Sequence, residues 1–121
     1  MLFRSVVACI AGDAQGRIYN VNADQMAVAC ASGFGVDQLL FLTDVDGVKG
    51  TDGQVFPVLT SAQCQQLISD GVATGGMQAK LESAMEALKQ GVKEVSIAPG
   101  ARVGIVEELL ARKPIGTRIV S

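Results

Sequence analysis

Thr74-Gly75-Gly76-Met77-Gln78-Ala79-Lys80, running on as Leu81-Glu82-Ser83-Ala84-Met85-Glu86-Ala87-Leu88-Lys89-Gln90-Gly91, is the stretch from which the rest of the chain is read. From Met77 onward the spacing predicts an amphipathic helix. Met77, Leu81, Ala84, Met85 and Leu88 recur at i, i+4, i+7, i+8 and i+11 and share one face. Gln78, Glu82, Glu86 and Lys89 fall opposite, and Gly91 is a natural stop. Gly75 and Gly76 are read as a turn before the helix. Lys80 then lies in the first turn, at the margin of the apolar stripe. A cation there opposes the helix dipole by roughly 0.3–1 kcal/mol, a conflict that a bound anion would remove. Free N–H groups, glycines that admit a ligand to the backbone, and a lysine suit a phosphate. The same residues also fit a plain turn and a lysine that reaches out to water.

Flanking this helix, strand-like and helix-like segments alternate. Ser5 to Ala11 is a nearly continuous apolar run, expected as a strand buried on both faces. Gly12 to Gly16 is turn chemistry, and Arg17 to Val21 alternates as a second strand, so residues 5 to 21 read as a hairpin. Asn22 is a good N-cap for a helix of small residues, with Asp24 in its first turn and Gly33 and Gly35 ending it. Asp37-Gln38-Leu39-Leu40-Phe41-Leu42-Thr43-Asp44 reads as a strand, which places Thr43-Asp44-Val45-Asp46-Gly47 where open α/β sheets bind ligands. A calcium loop beginning at Asp44 would need a glycine at its sixth position, where Lys49 stands.

Lys49 to Gln54 is a glycine-rich turn, and Val55 to Leu59 a short edge-like run. Thr60 or Ser61 caps a helix that ends near Asp70-Gly71. After the central helix come a strand at Glu94 to Ala98 and a turn at Pro99-Gly100. A helix from Val103 to Ala111 follows, with Ile105, Val106, Leu109 and Leu110 on one side, then a last strand at Gly116 to Val120. The alternation predicts an α/β fold, a mostly parallel sheet with helices on both faces, in one domain over residues 1–121.

Composition narrows the function. The chain has 121 residues, 49% of them apolar and 18% charged, which excludes a disordered chain. A net charge of −2 gives no electrostatic footing for nucleic acid or an anionic membrane, and neither partner is expected. The apolar run at Met1 to Gly12 is too short for a signal peptide and leads straight into strand-like sequence. Cys9, Cys30 and Cys64 are far apart and the chain has no histidine, so no metal site is expected. Reduced thiols in the cytoplasm account for them. A strand this close to Met1 suggests the second part of something larger.

Asn20-Val21-Asn22-Ala23-Asp24, Leu42-Thr43-Asp44-Val45-Asp46-Gly47, Gly75-Gly76-Met77 with Lys80, and Gly116-Thr117-Arg118-Ile119 stand in the order found in the acetylglutamate kinases of the amino acid kinase family. The chain resembles their C-terminal, nucleotide-binding half, from about Val6 to Val120. The resemblance implies the carbamate kinase-like fold and ATP-dependent phosphorylation of the side-chain carboxylate of N-acetyl-L-glutamate, in arginine biosynthesis. It implies Asn20 and Asn22 as substrate-binding residues and Asp24 as the carboxylate that organises catalytic lysines. Lys80 would draw charge from the phosphoryl group in transit. Thr43, Asp44, Val45, Gly47, Gly75, Gly76, Met77 and Lys80 would hold the nucleotide, ATP arriving as its magnesium complex. Acetylglutamate would bind if the missing half is supplied, and self-association into a homo-oligomer is expected.

One departure weighs on catalysis: the family's early glycine-rich loop with its second lysine has no counterpart, and Gly-Gly-Lys occurs nowhere in the chain. Gln78-Ala79 and Cys9 also depart from the family pattern, with less consequence. Three readings therefore stand side by side: the ATP-binding part of a kinase, inactive alone; a non-catalytic nucleotide-binding or regulatory module; and a structural remnant of the fold.

Overall fold

The computed structural model of the protein describes residues 4–121. Met1 to Phe3, the start of the segment weighed as a signal peptide, lie outside the described residues. The chain runs β1 (Ile10–Gly12), β2 (Ile18–Asn20), α1 (Ala23–Phe34), β3 (Gln38–Thr43), β4 (Val58–Thr60), α2 (Ser61–Ser69), α3 (Gly75–Lys89), β5 (Glu94–Pro99), α4 (Ile105–Leu110) and β6 (Thr117–Val120).

Four strands form one sheet in the order β3-β5-β6-β4. β3 and β5 pair in parallel, as do β6 and β4, and one antiparallel pairing joins β5 to β6. Alternation along the strands sends side chains to two faces. Leu39, Phe41, Val95, Ile97, Ile119 and Leu59 meet α1, α2 and α3 in the main core. Leu40 and Ala98 meet Ile105 and Leu109 of α4 on the other face. The sheet is thus covered on both sides, heavily on one and by a helix of under two turns on the other.

Two of the helices start where the sequence says they should. Asn22 caps α1, its side-chain oxygen accepting from the N–H groups of Asp24 and Gln25 at 2.9 and 3.2 Å. Thr60, rather than Ser61, caps α2 in a reciprocal box with Gln63. α3 buries Leu81, Ala84, Ala87 and Leu88.

Several expectations are corrected. The Ser5–Ala11 run is not a buried strand: only Ile10–Gly12 pairs, with β2, and Val6 is 99% exposed. The hairpin itself is present, but it forms a separate two-stranded sheet with no second layer to bury its apolar residues. Gly33 lies inside α1, and Gly35, left-handed at φ 63°, closes it. α3 begins at Gly75, not Met77, with Gly75 at φ 54°. Lys80 therefore stands in the second turn, where the dipole conflict is weaker than the sequence suggested. The Val55 run becomes a strand only from Val58. In α4, Ile105 and Leu109 turn inward while Val106 and Leu110 face outward, because four-residue spacing, not adjacency, defines a helical face.

Candidate functional site

The carboxyl end of β3 and the start of α3 face each other across an open cleft of about 250 Å³, lined by Val45, Gly47, Lys49, Val72, Thr74 and Met77. Of the sequence-predicted residues, Val45, Gly47 and Met77 line it directly. Thr43 ends β3 and opens the loop, its hydroxyl accepting from the Val45 N–H at 2.9 Å. Asp44 follows, exposed. Asp46 reaches Lys49 at 3.5 Å, which sets an ammonium on the cleft wall.

On the opposite wall Thr74 occupies the N-cap position of α3 but makes no side-chain cap bond. Its carbonyl accepts from the N–H groups of Met77 and Gln78. The N–H groups of Gly75 and Gly76 open the helix, where the backbone has no carbonyl of its own to offer. Both glycines are exposed, with open space where a Cβ would stand.

Three residues beyond Met77, Lys80 leans back across the sheet. Its Nζ lies 3.1 Å from Oδ2 and 3.4 Å from Oδ1 of Asp24. The two side chains are 26% and 21% exposed, so the pair is mostly withdrawn from solvent while keeping an open side. The Phe41 ring centre is 6.0 Å from the ammonium, at the outer reach of a cation–π contact. Asp24 is fixed by the cap of α1, and Lys80 by the buried face of α3. The positions of anion and cation are thus set by two helices packed on one sheet.

Asn20 ends β2, exposed, its backbone paired to Ile10. Asn22 spends its side-chain oxygen on the cap of α1, which leaves its amide N–H groups free to donate. Both stand at the β2–α1 junction, just before Asp24 in the chain.

Lys49, Val72, Thr74, Phe41 and Thr117 belong to the site or its support and were not singled out from the sequence as site residues. Thr74 had a signal, since it occupies a cap position, and Thr117 stood in the Gly116-Thr117-Arg118-Ile119 motif; Lys49, Val72 and Phe41 are brought in by tertiary packing alone. Another groove of about 250 Å³ separates α1 from α3, lined by Gln25, Val28, Ala29, Ser83, Glu86 and Gln90. It offers amides and one carboxylate but no cation, and is the poorer match for a phosphorylated ligand.

The sequence profile described as Amino acid kinase family matches residues 1–99. An acetylglutamate kinase of Solibacter usitatus is 61% identical over 116 residues, covering 96% of this chain and 45% of that protein. That of Acidobacterium capsulatum is 44% identical over 117 residues, with the same two coverages. The chain thus spans about half the length of these curated relatives. Among solved structures, N-acetylglutamate synthase from Neisseria gonorrhoeae complexed with coenzyme A and L-arginine superimposes with a TM-score of 0.84 at 30% identity, over 93% of this chain and 26% of that one. Carbamate kinase from Giardia lamblia bound to AMP-PNP gives a TM-score of 0.71 at 22% identity, over 93% of this chain and 41% of that one, a likeness of fold. Matched by the family profile over most of its length and akin to these proteins in sequence and fold, the chain belongs to the amino acid kinase family.

Proposed function

We propose that the chain is the ATP-binding part of an acetylglutamate kinase. The reaction, by analogy with the relatives, moves the terminal phosphoryl group of ATP to the side-chain carboxylate of N-acetyl-L-glutamate, in the cytoplasm and in the service of arginine biosynthesis. One observation carries this reading: the Lys80–Asp24 pair lies one helical turn from a cleft between a strand-end loop and a glycine-opened helix. Phosphoryl transfer asks little covalent work of a protein and much positioning of cations around dispersing negative charge. Lys80 is the cation, Asp24 its anchor. Gly75 and Gly76 offer backbone N–H groups to phosphate, while Val45 and Met77 offer apolar contact to a base. Magnesium enters on the nucleotide. Asn20 and Asn22 would face the acetylated amino acid. The remaining cationic groups would come from residues outside this chain.

A second reading is a nucleotide-binding or regulatory module without turnover. Calorimetric titration with ATP–magnesium and an assay of ADP release with N-acetylglutamate test both. Weak ATP binding without turnover is expected of the chain alone, since loss of a charge-stabilising donor costs about 10²–10³ in rate. Robust acetylglutamate-dependent ADP release would overturn inactivity in isolation. Failure to bind ATP would overturn both readings.

A further inference from the structure

Thr117, named above as support to the site, is buried beneath the Thr43–Lys49 loop, next to the half-buried Gly116. Thr117 is fully buried, one of two buried polar side chains among the described residues. Its hydroxyl accepts from the Val48 N–H at 2.9 Å, a contact that closes 69 residues of chain. Val48 itself is 1% exposed and sits between Gly47 and Lys49, both on the cleft wall.

The packing around this bond leaves the loop no slack. A Cβ at Gly47 would come within 2.7 Å of Val55 Cγ1, 2.9 Å of Thr117 Oγ1 and 3.2 Å of the Gly116 carbonyl carbon. A Cβ at Gly116, φ +67°, would meet the Ile97 carbonyl oxygen at 2.2 Å. Loop backbone therefore lies directly on the backbone at the entry to β6, and β6 is hydrogen-bonded to β5 at the centre of the sheet. At its other end the loop is tied by Thr43, whose hydroxyl accepts from Val45. Two threonine hydroxyls, one at each end, fix a segment whose middle forms one side of the cleft.

We infer that Thr117 is a positioning residue for the nucleotide loop: its hydroxyl, acting through the Val48 N–H, holds Val45, Gly47 and Lys49 at the distance from α3 that a nucleotide requires. This rests on the nucleotide reading of the cleft. Without the hydroxyl, the buried Val48 N–H has no partner and must either stay unsatisfied or pull the loop toward water. The second course opens the cleft.

Thr117→Val keeps the side-chain shape and removes the acceptor, Thr117→Ser keeps the acceptor, and Ile119→Val thins the core on the same strand without touching the loop. Amide hydrogen exchange at Val48 and calorimetric titration with ATP–magnesium are the two readouts. T117V is expected to exchange Val48 at least about tenfold faster and to bind ATP about tenfold more weakly, the scale of one lost neutral hydrogen bond. T117S should restore both, and I119V should lower the melting temperature while changing neither. If T117V fails to fold, Thr117→Cys, a weaker acceptor of similar size, must show the same two losses in smaller measure. Wild-type ATP affinity in T117V, or an equal loss in I119V, overturns the inference. If the wild-type chain binds no ATP, the nucleotide reading falls, and unchanged Val48 exchange in T117V would refute the clamp separately.

Discussion

The ammonium of Lys80 and the carboxylate of Asp24 meet across 56 residues of chain, 3.1 Å apart at the closer oxygen. Each is presented by a different helix, and the contact depends on α1 and α3 lying side by side on the sheet. Asp24, in the first turn of α1, is already favoured by the positive end of the helix dipole. Both of its oxygens accept from Lys80, the nearer at 3.1 Å and the other at 3.4 Å. An ammonium held in place yet open on one side is suited to meeting an arriving phosphate, because little side-chain entropy remains to be lost.

Lys80→Ala should weaken ATP–magnesium binding by about tenfold while the chain stays folded. Alanine improves helix propensity by a few tenths of a kcal/mol, and the lost pair costs about 1 kcal/mol at this partial exposure. The melting temperature should fall by no more than a few degrees. Calorimetric titration alongside thermal unfolding separates the two effects, and equal ATP affinities in the two proteins would mean that Lys80 serves only Asp24.

Gly116→Ala should be among the most damaging single-atom additions to this chain. The new Cβ would collide with the Ile97 carbonyl, and the backbone there is left-handed. Gly53→Ala is the control, at φ +77° with open space around it. The control should cost about 1 kcal/mol, the usual penalty of a left-handed Cβ. G116A should cost several times that or prevent folding. Denaturant titration of both decides, and similar midpoints would show that β6 can shift away from β5.

These contacts mark the limit of what the sequence discloses. The apolar run Leu39–Leu42 was legible as a strand from its shortness and its polar boundaries, and Asn22 and Thr60 were legible as caps because their side chains bond to the adjoining backbone. Ser5–Ala11 has the same apolar look as β3, yet only its last two residues find a partner strand, in β2, and neighbours are not written in the run itself. Gly75 and Gly76 announced backbone freedom, but whether a turn or a helix would use it depended on the packing of Leu81 and Ala84 below. Thr117 stood in a recognised motif, while its task rests on a bond to a residue 69 positions away.

Glu108 should confer acid sensitivity. Its carboxylate accepts from Arg102 Nε at 2.6 Å and Nη2 at 3.2 Å, and from Lys113 Nζ at 3.2 Å. These bonds, Arg102 first and Lys113 next, hold its pKa down to about 2, from an ordinary 4.5. A depressed carboxylate stabilises the fold above its unfolded pKa, and that contribution drains away as pH falls from about 4.5 toward 2. The stability gap between wild type and Glu108→Gln should therefore be greatest at neutral pH and shrink across that window. Denaturant midpoints of both proteins at pH 7, 4 and 3 would show it; a gap constant with pH would mean that the ion pairs add nothing.

Cys64 should resist thiol reagents that reach Cys9 and Cys30. It is fully buried on the inner face of α2, and burial pushes its thiol up to about 11, so both access and thiolate are lacking at pH 8. Cys9 and Cys30 are partly accessible. Two equivalents of a chromogenic disulfide should react quickly with the native chain, and the third only on adding denaturant. Three equal rates would mean that α2 is not docked as described.

The isolated chain should self-associate. Val6, Val7, Ile10, Ile18 and Tyr19 are all exposed on and before the hairpin. β3, at the end of the sheet order, has no partner strand on its outer edge among the described residues. That edge reads Gln38-Leu39-Leu40-Phe41-Leu42-Thr43, without the lysine, proline or bulge that commonly guards an exposed strand. Exposed apolar residues and an unguarded edge are both relieved by pairing with a second copy, and a two-fold dimer is the simplest closed arrangement. Light scattering over a concentration series should show a mass rising above 12.5 kDa. Leu42→Lys should weaken association if the edge is the contact, and Ile10→Lys if it is the hairpin. A constant monomer mass at high concentration would show that neither surface draws a second copy.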